Sequence, residues 1–188
     1  SCAGVAGGSV PIPDSEVCHP DVGTLGLLTA PVALPALRGR GMGQLAVQAR
    51  EAGFDYLLNE GPAGQPAELS FLAHIATQAI IVTSTDRVCV RGAERCARKL
   101  GGECCLQRIR MVLNRVRPQL ISHGKSGNID DAMDEAGLPL LGLVPEDVDL
   151  ISCSNSGRSI HAVKHTGAAR AFMNIARRLN GERIPLKL

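Results

Sequence analysis

A chain of 188 residues is about one domain long, and 45% hydrophobic content is enough to bury a core. Twenty basic residues against 18 acidic leave a formal charge of +2, too little for a global field toward nucleic acid or an anionic membrane. With no Trp, one Tyr and three Phe, aliphatic residues must fill that core, which suits helices layered on a buried sheet better than a β-sandwich.

The seven cysteines form no CxxC, and the one close pair is the adjacent Cys104 and Cys105. No signal peptide precedes them, so the reading is reduced thiols and a cytoplasmic location. Apolar runs such as Gln78 to Thr83 are far too short to cross a bilayer.

In chain order, residues 1–23 are rich in Gly, Pro and Ser and read as a loop or flexible arm. The opening Ser1 suggests a fragment or processed product. Short apolar runs then recur at Leu25–Thr29, Tyr56–Leu58, Ala79–Thr83, Ile109–Leu113 and Leu140–Val144. Each is apolar at successive positions, the pattern of strands buried on both faces. Helical spacing fills the intervals. Gln44–Ala52 ends at Gly53, and residues 66–76 begin at a proline. Val88–Leu100 carries Arg91, Arg95 and Arg98 on one face and stops at Gly101-Gly102. Ile129–Ala136 follows the N-cap type Asn128, and residues 167–180 close the series. Residues 24–188 therefore predict one α/β domain: a doubly wound, mostly parallel sheet with helices on both faces.

Ligands of such sheets bind beyond the carboxyl ends of the strands. The predicted exits read Asn59-Glu60-Gly61, Thr83-Ser84-Thr85-Asp86, Asn114-Arg115-Val116-Arg117 and Pro145-Glu146-Asp147. Polar loops are ordinary, but four such exits on one edge point to a shared crevice.

The same segments carry a family resemblance. Phe54 to Gly64 resembles the FDYIIIDSPAG segment of the MinD/ParA ATPases, and Val82 to Asp86 followed by Arg91 to Arg95 resembles VTTPE…VRDADR. Met111 to Pro118 is similar to their VVNRxxP strand end. Leu138 to Asp147 is similar to IPLLGVVPED, Ser154 to Gly157 to SNxG, and Phe172 to Leu179 to FxNIARRL. The likeness runs in consistent order over residues 24–188.

The resemblance implies a P-loop NTPase-like fold of the MinD-like branch, with ATP and magnesium as cofactors. It implies nucleotide-dependent dimerisation in placing a division site or a cargo, a homodimer, and a regulatory protein partner. Asn114 would offer its amide to the adenine edge, and Arg115 its guanidinium plane to the base or ribose. Pro145, Glu146 and Asp147 would close the other side, largely through backbone groups. Asp147 also reads as the N-cap of a following helix, and Asn114 as a turn residue.

Glu60 stands where the family has its catalytic, magnesium-holding Walker B aspartate. Its extra methylene displaces the carboxylate by roughly 1.5 Å, which weighs against hydrolysis. Residues Ser1 to Ser9 are Gly-rich but hold no lysine of a KGGVGKT-type loop. Gly124-Lys125-Ser126 lacks the upstream glycine of such a loop. Taken as the whole chain, these departures predict weak, metal-insensitive ATP binding. The alternative function is a pseudo-ATPase interaction module that keeps the fold without hydrolysis.

The ending Arg183 to Leu188 is too short for a basic amphipathic anchor, so no stable membrane anchor is expected. No nucleic-acid partner is expected either, the arginine face at 91, 95 and 98 reading as solvated. His161 and His165 have helical metal-ligand spacing, but no third ligand lies nearby in sequence. Cys89 and Cys96 read as buried small hydrophobes within a helix.

Overall fold

The structure, a computed structural model, describes residues 17–19, 22–28, 40–61, 72–73, 75–102, 106, 108–160 and 167–186. The chain divides into two compact units, residues 1–76 and 77–188.

In the first unit, β1 (Val17–His19) and β2 (Val22–Leu27) pair antiparallel. A strand therefore begins inside the segment expected to be arm, and the strand expected at 25–29 starts earlier and joins a ribbon. The helix α1 (Arg40–Glu51) contains most of the expected 44–52 span, and Gly53 follows it at φ 85°. Leu45 and Ala49, four apart on one face, are its buried residues.

Tyr56–Leu58, expected as a buried strand, is not one: residues 56–61 have no regular structure, and Tyr56 and Leu58 are exposed. Three apolar residues cannot hold a strand without a paired neighbour, and none pairs with them among the described residues. Of the helix expected at 66–76, residues 66–71 and 74 lie outside the described set, and Leu72–Ala73 are helical.

The second unit holds three parallel strands in the order β3 (Ala79–Thr83), β4 (Ile109–Val116), β5 (Leu140–Pro145). β3 and β4 pair in unbroken register from Ala79↔Ile109 to Thr83↔Leu113. Parallel neighbours need crossovers. The first is α2 (Arg87–Gly102). The second holds α3 (Pro118–Ser122) and α4 (Ile129–Ala136), and the chain then continues through α5 (Val148–Asn155) and α6 (Gly167–Leu179). α3 has no counterpart among the sequence expectations, being too short to show periodicity, while α5 is the helix that the N-cap reading of Asp147 anticipated.

Local chemistry sets the helix ends. Asn128 Oδ1 accepts the Asp130 N–H at 3.3 Å at the start of α4, whose first turn holds Asp130 and Asp131. At the other end the Gly137 N–H donates to Met133 O at 2.9 Å. α2 runs through Gly101 and Gly102, where a stop was expected, and Leu106 N–H then bonds back to Leu100 O. Arg91, Arg95 and Arg98 are exposed on α2 as expected. Arg91 reaches Glu135, and Arg98 pairs with Glu94 one turn away.

Helices cover both faces of β4 and β5, whereas Ile80 and Val82 leave one face of β3 exposed, against the expectation of burial on both sides. Ile109 lies against Gly101 of α2, and alternation along β4 puts Met111 and Leu113 on that same face. On the other, Val112, Leu141, Val144 and Ala168 form a buried cluster with Ala171, Ile175 and Leu179 of α6. The largest fully buried side chains are Met111, Leu113, Leu141, Val90, Val116 and Val144, none aromatic. Each contributes about 1.5–3 kcal/mol on burial. Cys89 departs from expectation, being exposed, whereas Cys96 is half-buried and its thiol is pushed up by burial. Residues 161–166, with His161 and His165, lie outside the described residues, as do Cys104 and Cys105.

β4 and β5 differ in length between two pairs of matched positions. One step on β4, Met111 to Val112, faces two on β5, Leu140 to Gly142. Arg178 of α6 donates from Nη1 to the Leu141 carbonyl inside this bulge at 3.0 Å. Its Nε and Nη2 donate to Ile184 O at 2.9 Å and Pro185 O at 2.7 Å, tying the terminal segment to α6 and β5. Burial alone holds the Arg178 guanidinium below its usual range.

Candidate functional site

The second register break lies at the carboxyl edge. Between Leu113 and Val116, β4 advances three residues while β5 advances two, from Leu143 to Pro145. The surplus residue makes a bulge at Asn114-Arg115, and bulges re-aim side chains at strand ends. Arg115 takes φ 55°, the left-handed region, and is the one non-glycine at positive φ among the described residues. That conformation costs about 1–2 kcal/mol for a residue with a Cβ.

Three contacts offset that cost. Asn114 Oδ1 accepts the Arg115 N–H at 2.9 Å, a local turn that asparagine favours. The Glu146 N–H donates to Val116 O at 2.9 Å and resumes the ladder beyond the bulge. The Glu146 carboxylate then receives two guanidinium groups. Arg115 donates to its Oε1 from Nε at 3.3 Å and Nη2 at 3.1 Å. Arg117 donates from Nη2 to Oε1 at 2.7 Å and from Nε to Oε2. The Arg117 hydrogen bond, with help from Arg115, holds the Glu146 carboxyl below the usual carboxylate range, and Glu146 raises Arg117 in turn.

Asp147 serves as the N-cap that its position after β5 suggested. Its Oδ1 accepts the Asp149 N–H at 2.9 Å and its Oδ2 the Ala168 N–H at 3.1 Å, so one carboxylate caps α5 and binds the start of α6. Pro145 ends β5, half-buried.

The β3 exit adds a contact that sequence reasoning missed. Thr85 is buried, and its Oγ1 lies 2.7 Å from Ser126 Oγ. A Cβ on Gly127 would overlap the Thr85 carbonyl, so only glycine lets residues 126–127 pack so close. The sole advance signal was the polar Thr83-Ser84-Thr85-Asp86 run itself.

The sequence-derived candidates thus fall into two sets. Asn114, Arg115, Pro145, Glu146 and Asp147 converge at the ends of β4 and β5 in the second unit. Glu60 belongs to the first unit, where it is exposed and outside any strand. For a purine, the donor set fits. Asn114 has spent one lone pair on Arg115 and keeps its NH2 donor, and Arg115 presents a planar, largely exposed guanidinium. For magnesium the described residues supply no ready-made cage. No group of three or more His, Cys, Asp or Glu that could hold a metal occurs among the described residues, and Glu60 alone offers one carboxylate.

Comparison with known proteins follows the same lines. The chain is 34% identical over 142 residues to the septum site-determining protein MinD of Bacillus subtilis, covering 76% of this chain and 53% of that protein. The chain thus spans about half the length of that relative. The MinD chain of the MinC:MinD cell division protein complex of Aquifex aeolicus matches with a TM-score of 0.86 at 25% identity, over 98% of this chain and 74% of that chain. MinD of Pyrococcus horikoshii, solved with Mg-ADP, matches with a TM-score of 0.70 at 19% identity, over 95% of this chain and 72% of that chain. This last likeness concerns the fold. No family model matches the chain.

Proposed function

Because the chain belongs to the MinD-like branch of the MinD/ParA family, we propose that it binds an adenine nucleotide and helps to place a division site or cargo through nucleotide-dependent dimerisation. The observation that carries this reading is the Asn114-Arg115 bulge, held beside the Pro145–Asp147 turn at the carboxyl edge of a parallel sheet.

The chain's own residues would act in order. The Asn114 amide meets the base edge with a donor and an acceptor. The Arg115 plane packs on the base or ribose, and Pro145 closes the far side without offering an N–H of its own. A bound triphosphate supplies charge that a second copy of the chain can share. Glu60 stands at the family position of the magnesium-holding aspartate but offers a single, longer carboxylate, so no magnesium or hydrolysis step is assigned to it. A MinC-like regulatory partner is proposed by analogy with the Aquifex complex. No helix among the described residues is long and apolar enough to cross a membrane, and a cytoplasmic site of action is part of the proposal.

Calorimetric titration of the 188-residue chain with ATP, with and without magnesium, tests this. The expected result is weak binding that magnesium hardly changes and that Asn114→Ala abolishes. No binding into the millimolar range sinks the nucleotide reading. Sub-micromolar, magnesium-dependent affinity would instead show a gripped triphosphate.

A further inference from the structure

Resemblance assigns Glu146 to the cofactor-binding set, but the geometry leaves it little with which to bind. Its Oε1 takes N–H groups from Arg115 and Arg117, its Oε2 takes the Arg117 Nε–H, and its own backbone N–H is committed to Val116 O. Both carboxylate oxygens and the backbone donor are engaged within the protein, Oε1 most heavily.

These spent groups share one structural consequence. Arg117 sits at the N-cap of α3 with φ −114° and ψ 92°, the extended region to which a following proline confines a residue. Pro118 therefore stiffens Arg117, and Arg117 anchors the Glu146 carboxylate through two nitrogens. That carboxylate in turn holds the guanidinium of Arg115, whose backbone is in the left-handed region and whose N–H bonds Asn114 Oδ1. The chain of constraint runs from Pro118 through Arg117 and Glu146 to Arg115 and ends at the Asn114 side-chain amide.

We propose that Glu146 is a positioning residue, a latch shared by Arg115 and Arg117 that presets the Asn114-Arg115 bulge for a purine base without touching the base. The inference rests on the nucleotide reading above and refines it: Glu146 leaves the set of ligands, and Arg117, absent from that set, enters as the anchor. A site whose supporting contacts are fixed in advance spends less binding energy on ordering.

The test uses the full chain and adenosine, which carries no phosphate and so reports on the base side alone. Adenosine affinity is measured for the unchanged protein, Glu146→Gln, Arg117→Met and the double variant. The Asn114 side-chain NH2 and Arg115 backbone amide resonances are followed in the same samples. Glu146→Gln keeps the side-chain volume and removes the charge. Expected is a loss of affinity on the order of tenfold for each single variant. The double variant should lose no more than either alone, and both resonances should shift or broaden while thermal unfolding stays near that of the unchanged chain. A merely structural contact would lower the unfolding temperature without moving those two signals. If the unchanged chain binds adenosine and Glu146→Gln binds it equally well with both resonances in place, the latch is overturned and the nucleotide reading stands. If the unchanged chain binds no adenosine, the nucleotide reading falls and the latch falls with it.

Discussion

Asp147 Oδ2 accepts the Ala168 N–H at 3.1 Å, a bond across 21 positions that joins the start of α6 to the end of β5. The same carboxylate caps α5 through Asp149. Asp147→Ala leaves two helix starts without their acceptor, and about 1–3 kcal/mol of stability should be lost, each cap contributing within the usual range. Asp147→Asn keeps one oxygen and should lose about half as much. Urea unfolding monitored by circular dichroism measures both, and a loss below about 0.5 kcal/mol for the alanine variant would contradict the double-cap role.

A Cβ on Gly142 would overlap Ile175 Cγ1, because β5 and α6 meet there with nothing between backbone and side chain. Gly142→Ala should cost about 1–3 kcal/mol through overpacking. Ile175→Val frees space next to the same spot, so the double variant should recover part of that loss, a coupling that a double-mutant cycle reads directly. Strict additivity would show that the contact is relieved elsewhere.

Arg178 donates to three carbonyls, Leu141 O, Ile184 O and Pro185 O. Arg178→Met keeps an apolar stem and removes every donor. About 2 kcal/mol should be lost, in the range for charge-assisted hydrogen bonds. Hydrogen exchange within residues 182–186 should speed up before the rest of the second unit is affected. Unchanged protection there would mean that the segment is held by other contacts.

Glu146 gives a pH prediction. Its carboxyl is held below the usual carboxylate range, by Arg117 first and Arg115 second. The latch is therefore fully formed above the unfolded carboxylate range, and it loosens as pH falls through the lower folded value. A 13C titration of the Glu146 side chain should give a midpoint below 4.5, and Arg117→Met should move it upward. A midpoint at or above 4.5 in the unchanged chain would mean that the pairs do not persist in solution.

Much of this architecture was written locally. Ala79–Thr83, Ile109–Leu113 and Leu140–Val144 were legible as strands from runs apolar at successive positions, but burial on both faces holds only for the last two, since Ile80 and Val82 of β3 are exposed. Asn128 and Asp147 were legible as caps because a short polar side chain beside orphan amides has one favourable use. The Arg91, Arg95 and Arg98 face was legible by spacing, and Asn114, Arg115 and the 145–147 turn by their place at strand exits. Local pattern misled at Tyr56–Leu58, where apolar character did not bring a strand partner, and at Cys89, which lies on the wet side of α2.

The surplus residue between Leu113 and Val116, the left-handed Arg115, the sharing of Glu146 by two arginines and the closeness of Gly142 to Ile175 were decided only in three dimensions. The physical reason is range. Periodicity and capping act over one or two turns of chain, so the sequence alone determines which segments are buried and where helices begin. Register, bulges and shared ion pairs depend on which residue of β4 falls beside which residue of β5, and that is set when the two strands pack against α6.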